Sequence, residues 1–230
     1  MFDWPHIHSL ILALEQEGKV TRTFRRLDPD RQQTVINAIL DEAADRGPTD
    51  LNIKRVAERA GVAVGSLYSY FNNRDGLLDF TVELCVRITR NMFAMAQPFL
   101  IETPIRESLK MYISGGLEWG ETQAGFWRFF ARAAYHSDSA LSDQVVRPIA
   151  TTMRQLVEAM LDAAIARGEV RETIDREATA RLIHGLTIAV GDPQMLPYLN
   201  SYFQVTDETM PLARLMDAFV DLIMRGIGNP

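Results

Sequence analysis

Apolar residues recur along most of this chain at the three- and four-residue spacing of an α-helix, and no stretch alternates as a half-buried strand would. The first such stretch runs from Pro5 to Glu17 and is followed by Gly18, a residue type that commonly ends a helix. Its apolar stripe consists of Ile7, Leu10, Ile11 and Leu14. The pattern therefore predicts an all-α protein that opens with an amphipathic helix.

A second helix is predicted to begin after Asp28-Pro29, an N-cap followed by proline at the first helical position, and to end at Arg46. Its inward face holds Val35, Ile36, Ile39, Leu40 and Ala43. The later predicted helices are Asp75 to Gln97, Ile105 to Trp119, Gln123 to Tyr135, Ser142 to Arg167, Arg176 to Val190 and Thr209 to Ile227. We expect Pro98 and Pro104 to bracket a break, Gly191-Asp192-Pro193 to end a helix, and residues 193–207 to form a loop.

Two short helices flank a glycine-containing turn between these longer ones. The pattern predicts a helix from Ile53 to Ala60, a turn at residues 61–63, and a second helix from Val64 to Phe71. This is the arrangement of a helix-turn-helix, whose second helix fits the DNA major groove. The predicted buried residues are Ile53, Val56, Ala57, Ala60, Leu67 and Phe71. DNA binding is therefore the first functional hypothesis.

The second short helix is expected to leave small and hydroxyl-bearing residues exposed or half-exposed. These are Val64, Gly65, Ser66, Tyr68, Ser69 and Tyr70. Small residues let a backbone approach the bases, and hydroxyls reach phosphates or bases. Because residues 64–71 contain no Arg, Asn or Gln, base choice would depend on Ser66, contacts to thymine methyls, Lys54 or Arg55, and DNA shape.

Charge is unevenly distributed over the 230 residues, whose net charge is -6. The segment from Lys19 to Arg74 contains ten Lys or Arg and seven Asp or Glu, whereas the segment from Asp75 onward contains fourteen Lys or Arg and twenty Asp or Glu. A basic head before an acidic body suits a DNA-binding protein. The single cysteine, Cys85, indicates a reducing compartment, and the absence of a signal peptide or long apolar run predicts a cytoplasmic protein.

The segment from Asp30 to Leu78 closely resembles the DNA-binding signature of TetR-family transcriptional regulators, especially in Val62-Ala63-Val64-Gly65-Ser66-Leu67-Tyr68-Ser69-Tyr70-Phe71. The resemblance implies that Tyr68 contacts phosphate and that Arg74 replaces the usual Lys. Ala63 replaces the Ser that commonly caps the recognition helix, and Asn52 replaces a capping Thr. The resulting DNA-binding candidates are Asn52, Lys54, Arg55, Val64, Gly65, Ser66, Tyr68, Ser69, Tyr70 and Arg74.

The same resemblance implies a homodimer formed through the last two long helices, Arg176 to Val190 and Thr209 to Ile227. It also implies repression at a pseudo-palindromic operator and release by a small apolar or aromatic ligand. Candidate pocket residues are Met92, Phe93, Met95, Tyr112, Trp119, Phe126, Trp127, Phe130, Met153 and His184, with polar contacts from Glu118, Arg128, His136 or His184. No cofactor or metal site is expected.

Three domains are expected: an N-terminal extension (residues 1–27), the helix-turn-helix domain (28–78), and a ligand-binding and dimerisation domain (79–230). The extension's helix is expected to pack on its own chain or a partner. Its linker cations, Lys19, Arg22, Arg25 and Arg26, either reach DNA or remain solvated. Enzyme motifs are absent from the sequence, so the alternative function is a helical ligand-binding or scaffold protein that has lost DNA binding.

Overall fold

The computed structural model describes residues 4–122, 124–136 and 139–229, and their side chains except those of residues 4–6, 48, 115–122 and 124. This part of the chain is helical and contains no β-strand, only an isolated bridge between Val170 and Gly228. The all-α prediction is therefore confirmed. Within the same residues, no helix is long and apolar enough to cross a membrane.

The helices are numbered in chain order. They are α1 (Trp4–Gln16), α2 (Arg22–Arg25), α3 (Pro29–Arg46), α4 (Ile53–Ala60), α5 (Val64–Phe71), α6 (Arg74–Glu102), α7 (Ile105–Thr122), α8 (Ala124–Ala134), α9 (Ser139–Leu141), α10 (Arg147–Ala166), α11 (Arg176–Met195), α12 (Asn200–Phe203) and α13 (Leu212–Ile227). A π-helical turn, Ser142–Val146, joins α9 to α10, and 3₁₀ turns occupy Pro48–Asp50 and Pro197–Leu199.

The chain divides into two compact units. The first consists of residues 1–90 and 123–149, and the second of residues 91–122 and 150–230. In the first unit α3 packs on α4 and α8, and α5 packs on α2 and α4. In the second unit α7 packs on α11 and α13. The predicted three-part functional division stays a prediction, because compactness does not assign a role to a segment.

Two predicted helix ends were wrong, and both involve proline. Helix α6 continues through Pro98 to Glu102, and α11 continues through Pro193 to Met195. Burial explains the continuation, because Leu100 and Pro193 lie in the interior of the second unit. The carbonyl of Leu100 also accepts a hydrogen bond from Ser108 Oγ at 2.7 Å. Packing there outweighs the backbone hydrogen bond that proline removes.

Two stretches predicted as irregular contain helix. The expected linker 19–27 includes α2, whose Phe24 is fully buried. The expected loop 193–207 includes the end of α11, a 3₁₀ turn and α12. In the latter, Asn200 closes the chain on itself, since its Nδ2 donates to Thr206 O at 2.7 Å and its Oδ1 accepts from Val205 N at 3.1 Å. Side-chain contacts, rather than helical periodicity, organise both stretches.

Candidate nucleic-acid interface

Helix α4 has well-defined ends, and these ends set the geometry of the helix-turn-helix. The side chain of Asn52 accepts hydrogen bonds from Lys54 N at 3.0 Å and Arg55 N at 3.4 Å, as its capping role predicts. Gly61 ends the helix at φ +62°, in the left-handed region where glycine carries no Cβ penalty. All four predicted apolar residues of α4 are buried. The turn between the two helices is therefore fixed from within.

Helix α5 buries Leu67 and Phe71 and presents a polar face, as predicted. Gly65 and Ser69 are exposed, Tyr68 is 47% exposed, and Val64 and Ser66 are half-buried. No side chain caps the helix at Ala63, in agreement with the missing serine. The exposed face combines a residue without a side chain with hydroxyls, which suits close approach to DNA and phosphate contact.

Tyr70 does not belong to this exposed face, and its predicted exposure was wrong. The residue is only 7% exposed and packs on Phe24, with ring centroids 5.6 Å apart. Tyr70 lies at the edge of the apolar stripe of α5, where exposure depends on a neighbouring segment, and α2 covers it. Its ring is therefore structural, and it drops out of the candidate contacts.

The basic residues predicted to contact DNA differ in whether they form ion pairs within the protein. Lys54 is exposed, whereas Arg55 Nε lies 3.2 Å from Glu42 Oε2. Arg59 Nε contacts the same oxygen at 3.3 Å, and the Glu42 side chain is completely buried. Because Glu42 lies on α3 and both arginines on α4, this carboxylate joins the two helices. Sequence reasoning missed it, although a Glu on an otherwise apolar face was a visible signal.

Arg74 is also used within the protein. Its Nε donates to Leu51 O at 2.9 Å, and its Nη2 donates to Thr49 O. These bonds fasten the start of α6 to the segment that precedes α4. The side chain remains 44% exposed. Arg74 therefore has a positioning role that the sequence did not show, and its contact with phosphate stays a prediction.

The predicted ligand residues fall into both compact units. Phe126, Trp127 and Phe130 lie buried on α8 in the first unit, where the Trp127 and Phe130 ring centroids are 6.1 Å apart. The second unit contains Met92, Phe93, Met95, Tyr112, Met153 and His184. Met95 is 73% exposed, which contradicts its assignment to an interior wall. The side chains of Trp119 and Glu118 lie outside the described residues.

Two polar groups in the second unit are buried without a hydrogen-bond partner among the described residues. They are Tyr112 Oη and His184 Nδ1. Tyr112 packs beside Phe93 at a centroid distance of 6.4 Å, and burial raises the pKa of its hydroxyl. Burial, assisted by Arg154, lowers the pKa of His184 below its ordinary value. Both side chains are therefore held neutral at pH 7.

The described residues contain no group of three or more His, Cys, Asp or Glu arranged to hold a metal ion. Cys85 is fully buried, and burial raises the pKa of its thiol well above the ordinary value. A thiol kept protonated is a poor nucleophile.

Comparison with known proteins agrees with this geometry. Residues 35–79 match the family described as bacterial regulatory proteins, tetR family. The HTH-type transcriptional regulator BetI of Cronobacter sakazakii is 26% identical over 160 residues, which span 70% of this chain and 75% of that one.

Solved structures show the same fold. The transcriptional regulator FadR from Bacillus subtilis, in complex with stearoyl-CoA, has a TM-score of 0.61 and 19% identity, and the match covers 85% of this chain and 98% of FadR. A SmeT–triclosan complex has a TM-score of 0.67 and 16% identity, and the match covers 87% and 92%.

An N-terminal helix-turn-helix followed by a larger set of helices defines a DNA-binding transcriptional regulator. Residues 35–79 therefore carry the tetR-family signature, the BetI relative is similar over 70% of the chain, and a solved TetR-family regulator from Chloroflexus aurantiacus shares the fold.

Proposed function

We propose that this regulator is a homodimeric repressor that binds a pseudo-palindromic operator and is released by a small, mainly apolar or aromatic ligand. The observation that carries the DNA-binding half is the polar face of α5, where Gly65 and Tyr68 are exposed and Ser66 is half-buried; Lys54 on α4 is exposed as well. A regulator that binds operators acts where the chromosome lies, and we therefore infer a cytoplasmic, non-enzymatic role.

Apolar side chains left exposed on α11 and α13 support the dimer. Leu182 and Leu222 are 68% and 65% exposed, and Leu186 is 40% exposed. A partner that covered them would remove their apolar area from water, at about 25 cal/mol per Å². Two-fold symmetry would then set two α5 helices about 34–36 Å apart, in successive major grooves.

The dimer surface is tested by charge insertion. We expect Leu182→Glu and Leu222→Glu to convert the dimer to monomers in sedimentation equilibrium, because a buried carboxylate opposes association. Tyr202→Glu is the matched control, since Tyr202 is 83% exposed and lies outside both helices. Monomeric wild type, or dimeric variants of both leucines, would contradict this interface.

The two unpartnered polar groups of the second unit support a ligand with a polar end. A buried donor or acceptor without a partner costs about 1–3 kcal/mol, so a ligand that satisfies Tyr112 Oη and His184 Nδ1 recovers this penalty. Phe93 and Met153 are buried in the same unit and would supply apolar contact to such a ligand. Stearoyl-CoA and triclosan, bound by the two fold neighbours, each join an apolar part to a polar group.

Release from DNA would follow from linkage. A ligand that binds better to a conformation with mis-spaced α5 helices weakens operator binding by its difference in affinity for the two conformations. Helix α6 contributes residues 74–90 to the first unit and 91–102 to the second. It is therefore the continuous element through which ligand binding would act on DNA binding.

The ligand proposal is tested with Tyr112→Phe. Removing an unpartnered buried hydroxyl should leave the free protein's thermal midpoint unchanged or higher, whereas ligand affinity should fall about tenfold. Triclosan and a long-chain acyl-CoA are the first probes, measured by thermal shift and by displacement of operator DNA. Tyr202→Phe is the control. A Tyr112→Phe protein that binds an active probe as tightly as wild type does would refute the polar anchor.

A further inference from the structure

The N-terminal extension is packed against the recognition helix. Thr21 N donates to Tyr70 O at 2.9 Å, and Thr21 Oγ1 donates to Ser69 O at 2.7 Å. Three residues further on, Phe24 is fully buried against the rings of Tyr70 and Phe71, with centroid distances of 5.6 and 5.1 Å. Helix α2 is therefore fixed beside the last turn of α5.

Charged contacts fix the preceding part of the extension to α6. Lys19 Nζ lies 2.7 Å from Asp79 Oδ2. Arg87 Nη2 lies 2.5 Å from Glu17 Oε2 and 3.1 Å from Glu83 Oε2. The hydrogen bond from Arg87 lowers the pKa of Glu17. The segment that leads into α2 is thus tied at several points, which limits where the side chains of α2 can reach.

Two arginines of this fixed segment remain free for other partners. Arg22 and Arg26 are exposed and four residues apart, so that they share one face of the turn. Among the described residues neither side chain forms an ion pair, whereas Arg25 between them pairs with Glu15. Thr23, also exposed, adds a hydroxyl next to Arg22. The result is an uncompensated pair of cations beside the DNA-reading helix.

We propose that Arg22 and Arg26 bind backbone phosphates of the operator, which makes α2 a second DNA-contacting element next to α5. This inference rests on the proposed operator binding. The hydrogen bonds from Thr21 to Ser69 and Tyr70 hold the start of α2, which carries Arg22, next to the last turn of α5. Phosphate contacts of this kind fix register on the duplex and add affinity without reading sequence.

The salt dependence of binding tests the proposal, because each phosphate contact contributes about 0.9 to the slope of log affinity against log salt. Because a homodimer presents each arginine twice, we expect Arg22→Gln and Arg26→Gln each to reduce the slope by about 1.8, and the double variant by about 3.6. Between about 50 and 200 mM salt, the affinity of each single variant should therefore fall by a factor roughly 12-fold smaller than that of wild type.

Arg90→Gln is the matched control. Arg90 is exposed on α6 and lies sixteen residues beyond Arg74, about 24 Å along the helix. Its slope should equal that of wild type, and the thermal midpoints of all four variants should be unchanged.

The possible outcomes separate the two levels of the proposal. Salt-sensitive binding by wild type, with slopes for Arg22→Gln and Arg26→Gln equal to that of Arg90→Gln, would overturn only the role of α2. The N-terminal extension would then only stabilise the positions of α5 and α6. Absence of salt-sensitive operator binding by wild type would overturn both this inference and the proposed function.

Discussion

Gly65 offers a substitution in which folding and DNA binding should change in opposite directions. Gly65 is the second residue of α5, and a Cβ built on it meets no atom within 4 Å. Its backbone has no positive φ. Gly65→Ala should therefore fit the free protein and stabilise it by up to about 0.5–1 kcal/mol, since alanine loses less backbone entropy than glycine in a helix.

Bound to DNA, the same methyl group has no comparable space. If the front of α5 approaches the bases as closely as the missing side chain allows, the methyl group crowds that interface. Inserting a methyl group into a packed contact costs about 1–3 kcal/mol, which corresponds to roughly 5- to 150-fold weaker binding. A more stable protein that binds its operator less well is the expected result.

Two assays decide this prediction: chemical denaturation followed by circular dichroism, and operator binding followed by fluorescence anisotropy. Gly191→Ala is the matched control, because Gly191 is also helical and its Cβ would also meet nothing within 4 Å. The control should leave operator affinity unchanged. Operator affinity of Gly65→Ala equal to that of wild type would refute a close approach of α5 at this residue.

Three further predictions concern stability. Phe24→Ala should lower the free energy of unfolding by about 3–5 kcal/mol, because it removes a fully buried ring. Glu42→Gln should cost about 1–2 kcal/mol by weakening the contacts that join α3 to α4, a figure reduced because the arginines are partly exposed. The pKa of His184 is lower in the folded protein than in the unfolded chain, so below about pH 6.5 the unfolded chain binds this proton more strongly. Stability should therefore fall as pH decreases, and His184→Gln should flatten this dependence.

Denaturation of further variants tests these stability predictions. Phe99→Ala, at a 58% exposed ring, should cost less than 1 kcal/mol, and an equal loss at both positions would contradict the packing of α2. Asp217→Asn removes an exposed ion pair with Lys110 and should cost under about 0.5 kcal/mol. A His184→Gln protein with the full pH dependence of wild type would assign that dependence to other groups.

Local chemistry explains why the helix-turn-helix was predictable from sequence. Its two helices begin and end where Asn52, Gly61 and the apolar spacing predict, because capping and turn geometry depend on a few neighbouring residues. The burial of Tyr70 was not predictable in the same way. It depends on Phe24, which lies far away in sequence inside a stretch that is polar on average.

The ion-pair and hydrogen-bond partners of charged residues could not be predicted from the sequence either. The sequence assigned Arg55 and Arg74 to DNA, whereas the fold also uses Arg55 to reach Glu42 and Arg74 to reach the carbonyl of Leu51. Long flexible side chains choose partners through tertiary position, which helical periodicity does not encode. For the candidate ligand residues, the sequence proposed Tyr112 and His184, but only the structure shows that each has a buried polar atom without a partner among the described residues.

The most direct test of the account is binding to genomic DNA fragments selected by the wild-type protein, measured at two salt concentrations alongside Tyr68→Ala. Tyr68 is 47% exposed on α5, so its loss should leave the fold intact, and Tyr202→Ala serves as control. The account predicts tight, salt-sensitive binding by wild type and Tyr202→Ala that Tyr68→Ala largely loses. Failure to enrich any fragment, or equal binding by all three proteins, would contradict DNA recognition through α5.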